Sequence, residues 1–249
     1  MAYIKNENEI KLISKACEIL AEVKQILFEN IRPGVSLKAL DAIAFEEIKK
    51  RGAEPNFLNY HGFPASICAS VNEELIHGIP SEYVLKEGDV LKIDAGCKYQ
   101  GYHSDSAFTK IVGVGAPQDI KLVEVAKGAF NQGIKAIKPG ATIGDISYAI
   151  GRYIRKQGYF TPLEFTGHGI GTSLHEDPNI PNYGIKGTGP KLKDGMVICI
   201  EPMILQDSPK IKIAKDGWTV ISVANKNAAH YEHTILIKNG KPVILTKGI

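Results

Sequence analysis

The chain has 249 residues, 44% of them hydrophobic and 23% charged, an ordinary globular composition with length enough for a large core. Net charge is only +3 and no lysine/arginine run exceeds three residues, so direct nucleic-acid binding is not indicated. The opening MAYIKNENEI has no apolar run of signal length, and no segment approaches the roughly 20 apolar residues of a membrane span, which predicts a cytoplasmic protein away from membranes.

An amphipathic helix is predicted over about residues 7–30. Pro33-Gly34 breaks it, and Ser36 caps a second helix with apolar residues at Leu37, Leu40, Ile43, Ala44 and Ile48, stopped by Gly52. His61-Gly62 follows. LKEGDVLKID (85–94) opens on a turn and rises into a strand that ends on Asp94. A second long helix is predicted over 118–137. Then IKPGATIGDISYAIGRYIRKQG (137–158) repeats IRPGVSLKALDAIAFEEIKKRG (31–52) at an offset of 106, with six of 22 positions identical. Thr142 takes the place of Ser36, and Ile143, Ile146, Ile150 and Ile154 form the apolar stripe. His168-Gly169 matches His61-Gly62 at offset 107, and LKDGMVICIE (192–201), ending on Glu201, matches 85–94 at the same offset. A second histidine recurs in LIHGIP (His77) and SLHEDP (His175). One register held across separated segments reads as a duplication, approximately 7–113 and 118–245, within a single domain, 1–249. The expected class is α+β: two antiparallel half-sheets joined about a pseudo-twofold, helices covering one face, and equivalent carboxylates meeting at the axis. Cys17, Cys68, Cys97 and Cys199 include no CxxC pair, which argues against a structural zinc finger.

The carboxylates suggest chemistry. A hairpin centred between Tyr99 and Gln100 pairs residues whose numbers sum to 199, which sets Asp94 opposite Asp105 with Cβ atoms about 5 Å apart. Like charges so placed persist if one is protonated or a cation lies between them. Glu201 follows MVICI, and Glu232 is a lone acid in the strand AHYEHTILI. Buried carboxylates are rare unless paired or coordinating. Four acids with histidine loops nearby make an oxygen-plus-imidazole set that suits manganese, iron, cobalt or zinc. Two of the acids could bridge two metals about 3.5–4 Å apart.

HGFP (61–64), NEELIHGIP (72–80), KIDAG (92–96), HSD (103–105), GHGIG (167–171), LHE (174–176), IEPM (200–203), KDGW (215–218) and YEHT (231–234) occur in this order. By these motifs the chain resembles type I methionine aminopeptidases of the short bacterial kind over nearly its whole length. The resemblance implies the pita-bread fold and two divalent ions, which could be cobalt, manganese, iron, zinc or nickel. It implies that Asp94 chelates one ion, that Asp105 and Glu232 bridge both, and that His168 and Glu201 complete the other. It further implies amide hydrolysis by an ionised water, with Glu201 as general base and His77 and His175 hydrogen-bonding the substrate. The methionine pocket would be lined by Tyr60, Phe63, Cys68, Leu174 and Trp218. Leu174 stands where many relatives carry phenylalanine, and Phe57 where some carry cysteine. The implied substrate is the N-terminal methionine of nascent polypeptides and peptides ahead of a small second residue. Work close to the ribosome and a monomeric state are further expectations.

Other classes fit less well. Proline-specific pita-bread peptidases share the five ligands but usually carry an extra N-terminal domain. Binding-only relatives should have lost ligands. A mononuclear iron oxygenase needs only two histidines and one carboxylate, leaving three acids unexplained. The type II subclass typically inserts a helical subdomain late in the chain, whereas only 30 residues separate Glu201 from Glu232.

Overall fold

Two Pro-Gly breaks set the plan of the fold. In the computed structural model, which describes residues 3–248, they follow α1 (Glu7–Asn30) and α3 (Pro117–Ala136). After each break a hydroxyl caps the next helix. Ser36 Oγ accepts from Ala39 N at 3.2 Å to start α2 (Leu37–Lys50). Thr142 Oγ1 accepts from Asp145 N at 3.3 Å to start α4 (Ile143–Lys156), and Asp145 reaches back to Thr142 N to complete a capping box. Gly52 and Gly158 adopt left-handed backbone where the chain leaves these helices. The turns that follow are also alike: Leu85 N donates to Val35 O at 2.9 Å, and Leu192 N donates to Ala141 O at 2.8 Å.

Each helix pair covers one sheet. α1 and α2 bury Leu20, Val23, Leu27, Leu40 and Ile48 against Ile67, Leu91, Ile93 and Phe108. α3 and α4 bury Val125, Phe130, Ile146 and Ile150 against Ile198, Ile200, Ile235 and Ile237. Each such side chain taken out of water stabilises the fold by about 1.5–3 kcal/mol. In the first sheet Val90–Tyr99 pairs antiparallel with both Tyr102–Ile111 and Ile67–Val71. In the second the antiparallel order is Lys241–Ile244, His233–Lys238, Val197–Ile200, Thr166–Gly169, Glu176–Pro181.

The sheets meet edge to edge. Glu232 N donates to Ala107 O at 2.9 Å, Thr234 Oγ1 to Asp105 O at 2.7 Å, and His230 N to Thr109 Oγ1 at 2.9 Å. This seam brings the acids of one half to those of the other.

The hairpin register differs from the sequence-based expectation. Tyr99 pairs with Tyr102, so partners sum to 201 rather than 199. The loop is the two residues Gln100 and Gly101, both at positive φ, as a tight hairpin turn with right-handed strand twist requires. Asp94 therefore faces Ala107, and Asp105 faces Gly96. The two acids remain on one face of the sheet, as diagonal neighbours rather than directly opposed.

All four cysteines are buried free thiols. Among the described residues no helix is long and apolar enough to cross a membrane. Because each of these helix starts uses a capping hydroxyl, Ser36→Ala and Thr142→Ala should each lower unfolding free energy by about 1 kcal/mol. Denaturant melts at unchanged m-value check this, and no shift in midpoint would contradict it.

Candidate active site

A cavity of about 300 Å³ opens at the seam, and all 12 residues singled out in the sequence line it, together with Phe57 and His61. Its floor is acidic. Asp94 and Asp105 come from the first hairpin, Glu201 lies just beyond the strand Val197–Ile200, and Glu232 just before His233–Lys238. His168, on Thr166–Gly169, places Nε2 at 3.5 Å from Glu201 Oε1 and 3.7 Å from Asp105 Oδ2. The glycines around it serve close approach. A Cβ on Gly167 would lie 2.3 Å from Cys199 O, and one on Gly169 would lie 2.3 Å from Asp177 O.

The upper wall is aromatic and imidazole. His175 packs its ring on His168 at 4.4 Å between centroids, and its Nδ1 lies 2.8 Å from Tyr60 Oη. The next residue, Glu176, ion-pairs with the buried Lys5. His77 has a left-handed backbone, φ 59°, and meets Phe165 edge-on at 5.5 Å. Phe63 meets Trp218 edge-on at 5.2 Å. Asp216 orders the Trp218 turn by accepting from Trp218 N and Thr219 N at 2.8 and 2.9 Å. Cys68 pairs across the sheet with Asp94, and Leu174 is buried beside Phe63 in the same apolar cluster.

Residues 11–239 match the model of metallopeptidase family M24. The chain belongs to this family. It is 48% identical to the methionine aminopeptidase of Mycoplasma capricolum, over 99% of each chain. It is 46% identical to methionine aminopeptidase 1 of Bacillus subtilis, over 99% of this chain and all of that one. The crystal structure of the methionine aminopeptidase of Thermotoga maritima superposes with a TM-score of 0.97 at 39% identity, covering both chains fully. The α+β architecture described above is the pita-bread fold of M24.

The donor set fits a metallopeptidase. Asp94 Oδ1, Asp105 Oδ1 and Glu232 Oε1 are buried without a hydrogen-bond partner. Ligand atoms of Asp105, His168, Cys199 and Glu232 all lie within 4.8 Å of one another. Cys199 is not among the five ligands that the resemblance implies. It sits behind the cavity lining, its Sγ 3.6 Å from Thr234 Oγ1, and burial holds its thiol well above the usual range. Burial also raises the acids: Asp94 to about 7, and Asp105, Glu201 and Glu232 well above the carboxylate range, with neighbouring carboxylates adding to the last three. Burial, then His175, lowers His168 to about 3 and His77 to about 4. His168 is therefore a neutral imidazole, the form that binds metal.

Two buried neighbours of the site were missed in the sequence. His230 Nε2 lies 3.9 Å from Glu201 Oε2 and 4.0 Å from Glu232 Oε2, and neither ring nitrogen has a hydrogen-bond partner. Its signal was its place two residues before Glu232, on the same side of an extended chain. Lys24, fully buried on α1, donates to Ser106 Oγ at 2.7 Å, and Ser106 Oγ donates to Glu232 O at 2.6 Å. Burial lowers Lys24 to about 8, against the pull of Glu232. Its signal was a lysine within the apolar stripe of Leu20, Val23 and Leu27.

These shifts fix the sign of a pH dependence. The folded pKa of Asp94 lies above its unfolded value, so the stability of its neutral form in the metal-free chain is lost as pH rises through about 7. Below that pH a cation must displace the proton. Divalent-ion affinity should therefore rise from about pH 6 to about pH 8, by roughly tenfold per pH unit for each proton displaced. Titration calorimetry in buffers of different ionisation enthalpy counts the protons. Equal affinity at both pH values, with none released, would contradict the assignment.

Proposed function

We propose that this chain removes the N-terminal methionine from newly made proteins and peptides, by amide hydrolysis at a dinuclear metal site. The observation that carries the reading is five metal-type donors on the floor of a cavity whose upper wall is apolar and aromatic. The names of the full-length relatives support the substrate. Asp94 would hold one ion, His168 and Glu201 the other, and Asp105 and Glu232 both. Divalent ions held there supply Lewis-acid polarisation and a water acidic enough to ionise near neutral pH. The oxygen and imidazole donors suit cobalt, manganese, iron, zinc or nickel, and availability decides among them.

Glu201 takes the proton of the attacking water at a carboxylate oxygen and passes it to the leaving amine. Burial among acids raises its proton affinity, which suits that exchange. His175 and His77 hydrogen-bond the scissile amide and the developing oxyanion. Tyr60, Phe63, Cys68, Leu174 and Trp218 enclose the methionine side chain, whose thioether packs well on aromatic edges. The two histidines crowd the far side of the scissile bond and favour a small second residue. The enzyme works as a single catalytic domain of two related halves, as a monomer in the cytoplasm, on chains emerging close to the ribosome.

A peptide panel varied at the first two positions tests the reading. Met-Ala-Ser should be cleaved about 10–200-fold better than Leu-Ala-Ser, the range for a small mismatch in an apolar pocket. Lys-Ala-Ser should be rejected far more strongly, because its charge would be buried unpaired. Equal cleavage of Met-Ala and Lys-Ala peptides would refute the pocket, and preference for cleavage before proline would place the chain among the proline-specific peptidases.

His175→Ala should keep its metal while turnover falls by roughly 10²–10³-fold, the scale for one oxyanion donor. Loss of metal with normal turnover in the loaded fraction would instead make His175 a ligand.

A further inference from the structure

His175 makes one contact that a pocket wall does not need. Tyr60 Oη lies 2.8 Å from His175 Nδ1, with the rings 5.4 Å apart at 52°. An apolar wall for a thioether requires only the ring of Tyr60. The phenol is also held in place with some care. Tyr60 N donates to Phe57 O and Phe63 N donates to Tyr60 O, both at 2.9 Å. The residues on either side are left-handed, Asn59 at φ 65° and His61 at φ 49°. Such backbone costs free energy in residues other than glycine and persists only where the surroundings impose it.

A neutral imidazole has two tautomers, and the bond made by one nitrogen decides which carries the proton. A phenol can donate or accept, so the 2.8 Å contact alone allows both. The proposed role of His175 breaks the tie. Tyr60 Oη occupies Nδ1, which leaves Nε2 as the nitrogen that can meet a substrate in the cavity His175 lines. With the proton on Nδ1, Nε2 would offer a scissile carbonyl only a lone pair; with the proton on Nε2 the ring offers it a donor, and Tyr60 Oη donates to Nδ1. The edge-on contact with His168 restrains the ring as well.

We propose that Tyr60 is a positioning residue, whose hydroxyl fixes His175 as the Nε2–H tautomer and so supplies the hydrogen-bond donor for the scissile group. This deepens the proposed amide hydrolysis and rests on the role of His175 in it.

The test uses the full-length chain, metal-loaded, as wild type, Tyr60→Phe and Tyr60→Leu. Long-range ¹H–¹⁵N NMR of His175 without substrate should show Nε2–H in the wild type and a tautomer mixture in Tyr60→Phe. With Met-Ala-Ser, Tyr60→Phe should lower kcat roughly 5–10-fold, the scale of one neutral hydrogen bond, and change KM by less than about twofold. Metal content and the preference for methionine over leucine should be unchanged in Tyr60→Phe, whereas Tyr60→Leu should weaken that preference as well. A wild-type Nδ1–H tautomer would overturn the proposal, and so would an undiminished kcat in Tyr60→Phe. The NMR result needs no substrate, so a wild type inactive on every peptide would sink the proposed function while the tautomer is still decided.

Discussion

Burying four carboxylates in one cavity is the constraint on which the rest of this structure depends. A pair of like charges about 4 Å apart costs about 4 kcal/mol at an effective dielectric of about 20. Asp94, Asp105, Glu201 and Glu232 share one cavity, so several such pairs would form if all four ionised. That sum rivals the whole stability of a folded domain, about 5–15 kcal/mol. In the metal-free chain burial and, for three of the four, mutual repulsion favour the protonated form and shift all four acids upward. A multiply charged cation reverses the balance, because each ionised acid then becomes an attraction.

The surroundings of the acids serve the same end. His168 and His230 are buried and His77 is half-buried, and desolvation holds all three toward the neutral form, so they add donors without positive charge competing for the space. Lys24 places one buried ammonium behind the strands and ties α1 to them through Ser106. The seam between half-sheets sets the spacing. Backbone bonds between Ala107 and Glu232 align one half's acids with the other's, and their geometry leaves little freedom for drift. Glycines at 167 and 169 let neighbouring strands press close enough for His168 to reach the floor.

Much of the architecture was readable along the chain. The four helices, the hydroxyl caps of α2 and α4 and the matching turns all express local rules: spacing of apolar residues and, for α2 and α4, a cap oxygen before the first turn and glycine at the exit. The hairpin at Gln100-Gly101 shows the limit of such reading. Its centre moved by one residue because Gln100, not only the glycine, accepts a left-handed conformation. That shift turned a facing pair of aspartates into a diagonal one. The choice between adjacent turn centres depends on how both strands pack, so the local letters did not settle it.

The sequence by itself determined the helices, the strand ends that carry acids, and the order of motifs that marks the family. These follow from interactions among residues close in the chain, or from letters that a family retains in order. Only the tertiary structure decided that His230 and Lys24 lie beside the carboxylates, that Tyr60 reaches His175, and which groups burial shifts. The reason is distance through space. Thr234 bonds Asp105 across 129 positions, and Tyr60 meets His175 across 115. Burial and Coulomb energy depend on such separations, which no local pattern of residues records.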